Sequence, residues 1–384
     1  QEMKSQYSVT RGLDHDDNWG TSHEETENYL PGAAATRSSS EQYSRSHKLN
    51  PRLNAGLHWA RDSLNTFALR VTIDHKKKHS HSRQIIEQSE AQGSDDPYTA
   101  RLSQHNSTHD EGHVTELITN AEWEHYVKDG SLGASIQVIY TDGKTDSWTD
   151  RIVTSHVTSL NSSLLSQFST SPNTKLHAVG EAHHARWLTK KWMMQATYSF
   201  LHDHNNNDCD FSTNGVADAA NSYHDHYTNN RHFLRINQTI NLAPLQFMPS
   251  VTAKWQRESQ DYRRGKLDTA AVRNALTIDP SLRTTLKLSK TVGFELNYGF
   301  STSKPKIIQT IGYRDLTDPL FITEGNPSLK DIHSHNVRLS YNMVLARSQT
   351  SLSASIAFNT SDRDRVTALG YNPATAVYVS RPEN

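Results

Sequence analysis

The stretch Leu282-Arg-Thr-Thr-Leu-Lys-Leu-Ser-Lys-Thr-Val-Gly-Phe-Glu-Leu-Asn-Tyr-Gly-Phe300 alternates apolar and polar residues on either side of a short polar corner. Leu282, Thr284, Leu286 and Leu288 fall in one register, Ser289-Lys290-Thr291 makes the corner, and Val292, Phe294, Leu296, Tyr298 and Phe300 resume it. Between them lie Arg283, Thr285 and Lys287, then Gly293, Glu295, Asn297 and Gly299. Successive side chains of a strand point to opposite faces, so the first set shares one face of an antiparallel hairpin and the second set the other. One face is apolar, and the other carries charge and amide.

The same unit recurs along the chain. Leu53, Ala55, Leu57 and Trp59 lead to Arg61-Asp62, and Phe67, Leu69, Val71 and Ile73 leave it. Leu117 to Trp123 leads to Asp129-Gly130, a favoured hairpin dipeptide, followed by Leu132, Ala134, Ile136 and Val138. Further hairpins turn at Thr189-Lys190-Lys191, ahead of Trp192 to Phe200, and at Ala243-Pro244, between Leu234–Leu242 and Leu245–Trp255. Another joins Val337–Met343 to Leu352–Phe358, and Gln6 to Thr10 also has strand character.

Between the hairpins lie polar segments at 80–112, 148–173, 203–227, 260–272 and 302–331, rich in His, Asn, Asp and Ser. Read as long loops, they alternate with the tight corners, an asymmetry that a transmembrane barrel shows between its two ends. The pattern predicts about 12 or 13 strands of about 10–14 residues, long enough to cross a bilayer at a tilt. Trp59, Trp123, Trp192, Trp255, Tyr298 and Phe300 stand near strand ends, where interfacial girdles belong. A soluble β-sandwich also alternates, with one buried face per strand. The turn asymmetry and strand length favour the membrane barrel.

Composition agrees. The chain has 384 residues, 34% hydrophobic and 21% charged. Its mean hydropathy of -0.75 excludes a bundle of membrane helices, yet suits a barrel in which only alternate residues face lipid. Forty basic residues against forty-one acidic ones give no basic face, which argues against nucleic acid as a partner. The one cysteine, Cys209, cannot form an internal disulfide. No GxSxG, GxxxxGK[ST] or HExxH occurs, so no enzyme is expected.

The segment Glu324-Gly-Asn-Pro-Ser-Leu-Lys330, followed by His335-Asn336 and alternating Val337, Leu339 and Tyr341, resembles the Gly-Asn-Pro-x-Leu-Lys stretch of TonB-dependent outer-membrane receptors. There it enters a barrel strand from an external loop. The Lys190-Lys191-Trp192 hairpin is similar to the same group, especially its outer-membrane β-barrel branch. The resemblance implies that residues 1–384 are the barrel region of a bacterial outer-membrane receptor for a large or scarce solute. It also implies a barrel of about 22 strands, short periplasmic turns and long extracellular loops. The globular plug, its TonB-binding segment and the remaining strands are not among these residues. Implied partners are outer-membrane lipid and lipopolysaccharide, TonB through the plug, and a surface lipoprotein lid or other envelope subunits. The lumen would be lined by Arg235, Lys254, Arg283, Lys287, Glu295 and Arg338. The rival reading is a barrel that no longer transports and serves as scaffold or partner subunit in an envelope complex.

One polar segment invites metal chemistry. His202-Asp203-His204 and His224-Asp225-His226 bracket Cys209. If the two arms pair so that the His-x-His units face each other, His202, His204, His224 and His226 can form a ligand- or metal-binding site for Zn, Cu or Ni. The alternative is a solvated polar loop. His183-His184, His333/His335 and His79/His81 are expected to be loop or lumen polarity. The run His75-Lys76-Lys77-Lys78-His79 suits either the phosphates of lipopolysaccharide or plain solvent.

Overall fold

The computed structural model describes residues 4–28, 35–90, 99–156, 163–315, 321–345, 350–372 and 377–384. The first half of the chain folds as β1 (Lys4–Asn28), β2 (Thr36–Ala60), β3 (Asn65–Glu90), β4 (Thr99–Val127), β5 (Gly130–Ser155), β6 (Ser163–Thr189) and β7 (Trp192–Thr213). A two-residue β8 (Val216–Ala217) folds back on β7. Then follow β9 (Tyr223–Leu242), β10 (Leu245–Arg264), β11 (Leu267–Lys287), β12 (Val292–Ser303), β15 (Ile332–Leu345) and β16 (Thr350–Ser361). Apart from β8, which hangs on β7, these strands form one sheet ordered β1-β2-β3-β4-β5-β6-β7-β9-β10-β11-β12-β15-β16. Every pair is antiparallel, and each strand sits beside its predecessor. Meander order follows from the tight corners, which leave no room for a crossover.

All six expected hairpins are present with the expected faces. β12, β15 and β16 have the expected length, at 12, 14 and 12 residues, but, β8 aside, the strands before them are far longer: β2 has 25, β4 has 29 and β6 has 27. At about 3.3 Å per residue a 25-residue strand is roughly 80 Å long, against about 30 Å of hydrocarbon. The extra length comes from the polar segments read as loops. Residues 80–90 pair with 99–110, 148–153 pair with 163–168, and 203–213 continue β7. At 260–272 the connection is a two-residue turn, Gly265-Lys266. The asymmetry between the two ends is real, but it is carried by ladders projecting on one side rather than by long loops.

Residues 302–331 are the exception. They contain a 3-10 turn (Ile307–Thr310) and the short strands β13 (Arg314–Asp315) and β14 (Phe321–Glu324). These join β17 (Val366–Asn372) and β18 (Val377–Glu383) in a small sheet of order β13-β14-β18-β17. The Gly-Asn-Pro segment is its joint. Asn326 is buried, accepts hydrogen bonds from the Ser328 N–H and hydroxyl at 3.0 and 2.6 Å, and donates to the Pro382 carbonyl at 2.8 Å. A Cβ on Gly325 would fall 1.8 Å from the Ile311 carbonyl oxygen, so no other residue fits there. Tyr378 of β18 hydrogen-bonds Thr36 of β2 at 2.7 Å, linking the small sheet to the far end of the large one.

Burial separates the two readings of the alternation. Among the described residues the buried hydrophobic ones are Leu102, Val153, Cys209, Tyr262, Ile307, Ile311, Leu329 and Tyr378, and the one core cluster is Leu102 with Val153. The apolar face of the sheet is instead open: Ile136 is 50% exposed, Leu234 47%, Ile278 57% and Phe358 61%. A soluble sandwich would cover these residues with a second layer, and no such layer exists among the described residues. A continuous apolar belt far exceeds the few hundred Å² that water-soluble surfaces tolerate. Cross-strand register keeps it level: Tyr7, Leu57, Leu69, Ala121, Ile136, Gly180 and Phe200 lie in one row across β1 to β7. The row passes through His232 to Trp255 and Leu276. Phe200, Trp255 and Phe300 close the belt nine to eleven residues beyond the tight turns, the span a tilted strand needs to cross hydrocarbon. His232 packs between Phe200 and Trp255 with centroids 4.9 Å from each, an amphipathic ring at an interface. Among the described residues no helix is long and apolar enough to cross a membrane, which says nothing against crossing by strands.

Candidate functional site

The alternate residues of every strand make the second face, which is mostly polar and charged, with Ile118, Ile139, Val179, Leu201, Phe233 and Met248 interspersed. The expected lumen residues Arg235, Lys254, Arg283, Lys287, Glu295 and Arg338 all occupy it, since each alternates along its strand with a residue of the apolar face (Leu234, Ala253, Leu282, Leu286, Leu296 and Leu339). Several of its charges are paired across strands. Arg52 on β2 donates to both oxygens of Asp74 on β3, at 2.6 and 2.9 Å. Lys254 pairs with the buried Asp279, and Arg283 reaches Glu295 at 2.6 Å. Such pairs let a wall hold charge without a dry core, because each desolvated carboxylate keeps a cation in contact.

Above the belt the network thickens around a cavity of about 390 Å³ bounded by Asp203, Tyr227, Arg231, Glu258, Arg273 and the Lys304–Lys306 backbone segment. Asp203 accepts from Arg231 at 2.7 Å and lies 2.5 Å from His177 Nδ1. Glu258 is buried; it accepts from Arg273 Nε at 2.8 Å and from the Tyr227 hydroxyl at 3.0 Å. Burial, then the neighbouring Glu258 charge, raise the Tyr227 hydroxyl above its usual range, so it stays a donor. Arg273 also donates to the Pro305 carbonyl at 2.8 Å, and Arg264 to Asp315 at 2.6 Å. The segment after β12 is therefore tied down onto the polar face. The sequence marked it as an external loop and gave no sign of these anchors, because Arg264 and Arg273 belong to strands whose partners could not be read from local pattern.

Asp225 sits on the same face of β9 and accepts from Gln260 on β10. Burial raises its carboxyl to about 6, helped by Asp208 and opposed by His226.

The four histidines proposed as a metal site do not converge. In the β7–β9 register His202 lies opposite Asn230 and His204 opposite Thr228, whereas His226 faces Asn206 and His224 faces Asp208. Their rings bond accordingly: His202 to Asn230 at 2.7 Å, His204 to Thr228 at 2.9 Å, and His224 and His226 to Asp208 at 3.1 and 3.3 Å. The stagger comes from the connection. Asn214 and Gly215 adopt positive φ (53° and 76°), the turn that Asn-Gly favours, and fold β8 back onto β7 before β9 begins. All four rings lie on the outer face rather than in a pocket. Alternation also divides the run at 75–79, placing Lys76 and Lys78 on the polar inner face and leaving only His75, Lys77 and His79 for an external phosphate. A group that sequence reasoning passed over is compact instead: His79, His109 and Glu111 on β3 and β4. No local signal could have found it, because His109 joins His79 only through the ladder.

Residues 258–384 match the Outer membrane protein beta-barrel family. No curated protein matches the chain in sequence. Among solved structures the chain is similar to the hemophore receptor HasR of Serratia marcescens, determined as a double mutant with its hemophore HasA and heme. Identity is 12% and the TM-score 0.49, over 94% of this chain and 58% of that one. It is also similar to the ferric citrate transporter FecA in unliganded form (8% identity, TM-score 0.45, 91% and 50% covered). A third is the alcaligin outer-membrane receptor FauA of Bordetella pertussis (12%, 0.42, 92% and 56%). The chain thus spans half to three-fifths of the length of these receptors. The family match covers the last third of the chain, whose strands β11, β12, β15 and β16 continue the same antiparallel sheet as the rest.

Proposed function

We propose that this wall belongs to a transporter of the TonB-dependent type, which takes up a large or scarce solute through a lumen gated by a plug outside these residues. The observation that carries the reading is the two-sidedness of the sheet. Its outer face is an exposed apolar belt, and its inner face holds an ion-paired polar surface narrowed by the segment after β12. A scaffold subunit needs the belt but has no use for a cross-linked constriction over the inner face. The wall closes into a barrel with further strands beside β1 and β16, since an unpaired ladder edge in hydrocarbon is costly. In the cell, uptake of cobalamins, ferric chelates and oligosaccharides is measured in wild type, in a deletion of this gene and in a deletion of tonB. Loss of one and the same solute in both deletions is the expected outcome. Uptake of every solute unchanged in the gene deletion would favour the scaffold.

A further inference from the structure

The outer face carries a cluster unrelated to the lumen. His79 stands directly opposite Glu111 in the β3–β4 ladder, and His109 lies on the same face one step away, opposite His81. Glu111 Oε1 is 3.3 Å from His79 Nδ1 and 3.4 Å from His109 Nε2, and the imidazole centroids are 4.5 Å apart. Glu111 thus bridges both imidazoles as a hydrogen-bond acceptor. Separations of 3.3 and 3.4 Å also match neighbouring ligands on a tetrahedron with bonds of about 2.0–2.2 Å, whose edges are roughly 3.3–3.6 Å, so an ion can replace these hydrogen bonds with little movement.

We propose that His79, His109 and Glu111 bind a divalent transition ion, Zn²⁺ or Cu²⁺, on the outer wall beyond the apolar belt. Two imidazoles and one carboxylate suit these ions, whereas Ca²⁺ and Mg²⁺ require oxygen shells. The ladder preorganises the site. β3 and β4 are each paired on both sides, by β2 and β5, so only side-chain rotamers remain to be fixed. His109 is further held against Trp148, at 5.5 Å, and Trp148 against Phe168, at 5.3 Å. His47, opposite His79 on β2, is engaged with Asp17 at 3.3 Å and stays outside the set. The three ligands are open to solvent, so an external ion can reach them, and the fourth position is left to water. The inference does not depend on transport, because the site faces away from the lumen.

The test uses the intact protein without a polyhistidine tag, in detergent micelles, with ZnCl₂ as calorimetric probe and Cu²⁺ for electron paramagnetic resonance. One saturable Zn²⁺ site is expected, with affinity reduced at least tenfold in His79→Ala/His109→Ala and in Glu111→Gln. The Cu²⁺ spectrum should show superhyperfine coupling to two nitrogens. Heat-modifiable gel migration checks that each variant is folded. The variant His202→Ala/His204→Ala/His224→Ala/His226→Ala should bind like wild type. Diffuse, non-saturating binding, affinity unchanged in His79→Ala/His109→Ala, or loss confined to the four-histidine variant would each overturn the assignment.

Discussion

Each long strand is two structures in one. Near the tight turns its outer residues are Leu, Ile, Val and aromatics, as in Leu245, Phe247, Val251 and Trp255 of β10. Beyond Trp255 the same strand continues as Arg257, Ser259 and Asp261 outside, with Glu258, Gln260 and Tyr262 inside. Backbone pairing does not change at the boundary, since β10 pairs with β11 without interruption from Leu245 to Arg264. What changes is the solvent. In the lower half the ladder satisfies backbone groups that hydrocarbon cannot, and the outer side chains need only be apolar. In the upper half water covers the outside, and specificity is carried by cross-strand ion pairs.

The largest expected contrast between the halves is a buried-charge experiment. Ile236→Arg, midway between the Leu242 corner and the row of Phe200 and Trp255, should destabilise the folded protein by about 3 kcal/mol in urea titrations from lipid vesicles. Thr174→Arg, on the outer face of β6 beyond the belt and opposite Asp142, should stay within about 0.5 kcal/mol of wild type. Equal costs at both positions would erase the boundary. Next in size is the inner network of the upper half. Arg273→Ala leaves Glu258 buried with only the Tyr227 hydroxyl, and should cost about 2–3 kcal/mol. Adding Glu258→Gln should recover part of that loss. A double variant no better than the single would show that packing, not charge, held the pair.

The smallest effect is a pH slope. Asp225 binds its proton more readily folded, at about 6, than unfolded, near 3.8. Its contribution is therefore fully favourable below the unfolded value and is lost as pH rises through about 6, on the order of 2 kcal/mol. Asp225→Asn should flatten the stability profile between pH 4 and 7 and be more stable than wild type at pH 7. A steeper profile in the variant would contradict the assigned shift.

The same division explains what the sequence made legible. In the lower half, hydrophobic contrast between adjacent residues exposed every hairpin, its corner and its faces, and the polar set gave the lumen residues Arg235 to Arg338. In the upper half both faces are mostly polar, and outward apolar residues such as Ile85, Ile152 and Leu164 are too isolated along their strands to alternate. His79-Ser80-His81-Ser82-Arg83 is as regular a strand as Leu53 to Trp59, yet nothing in it alternates in hydropathy. Ladder thus read as loop. Site geometry was less accessible still, because it depends on register. A turn at Asn214-Gly215 staggers His202 and His204 from His224 and His226, while an unremarked pairing of β3 with β4 assembles His79, His109 and Glu111.

The outward orientation of the belt can be measured directly by spin-label accessibility in lipid vesicles, in a Cys209→Ala background. Labels at Ile136 and Leu234 should collide freely with oxygen and be shielded from a water-soluble nickel chelate. Their neighbours Ser135 and Arg235 should show the reverse, as should Thr174 beyond the belt. Labels at Ile136 and Leu234 shielded from both reagents would place those side chains against protein and contradict the membrane wall.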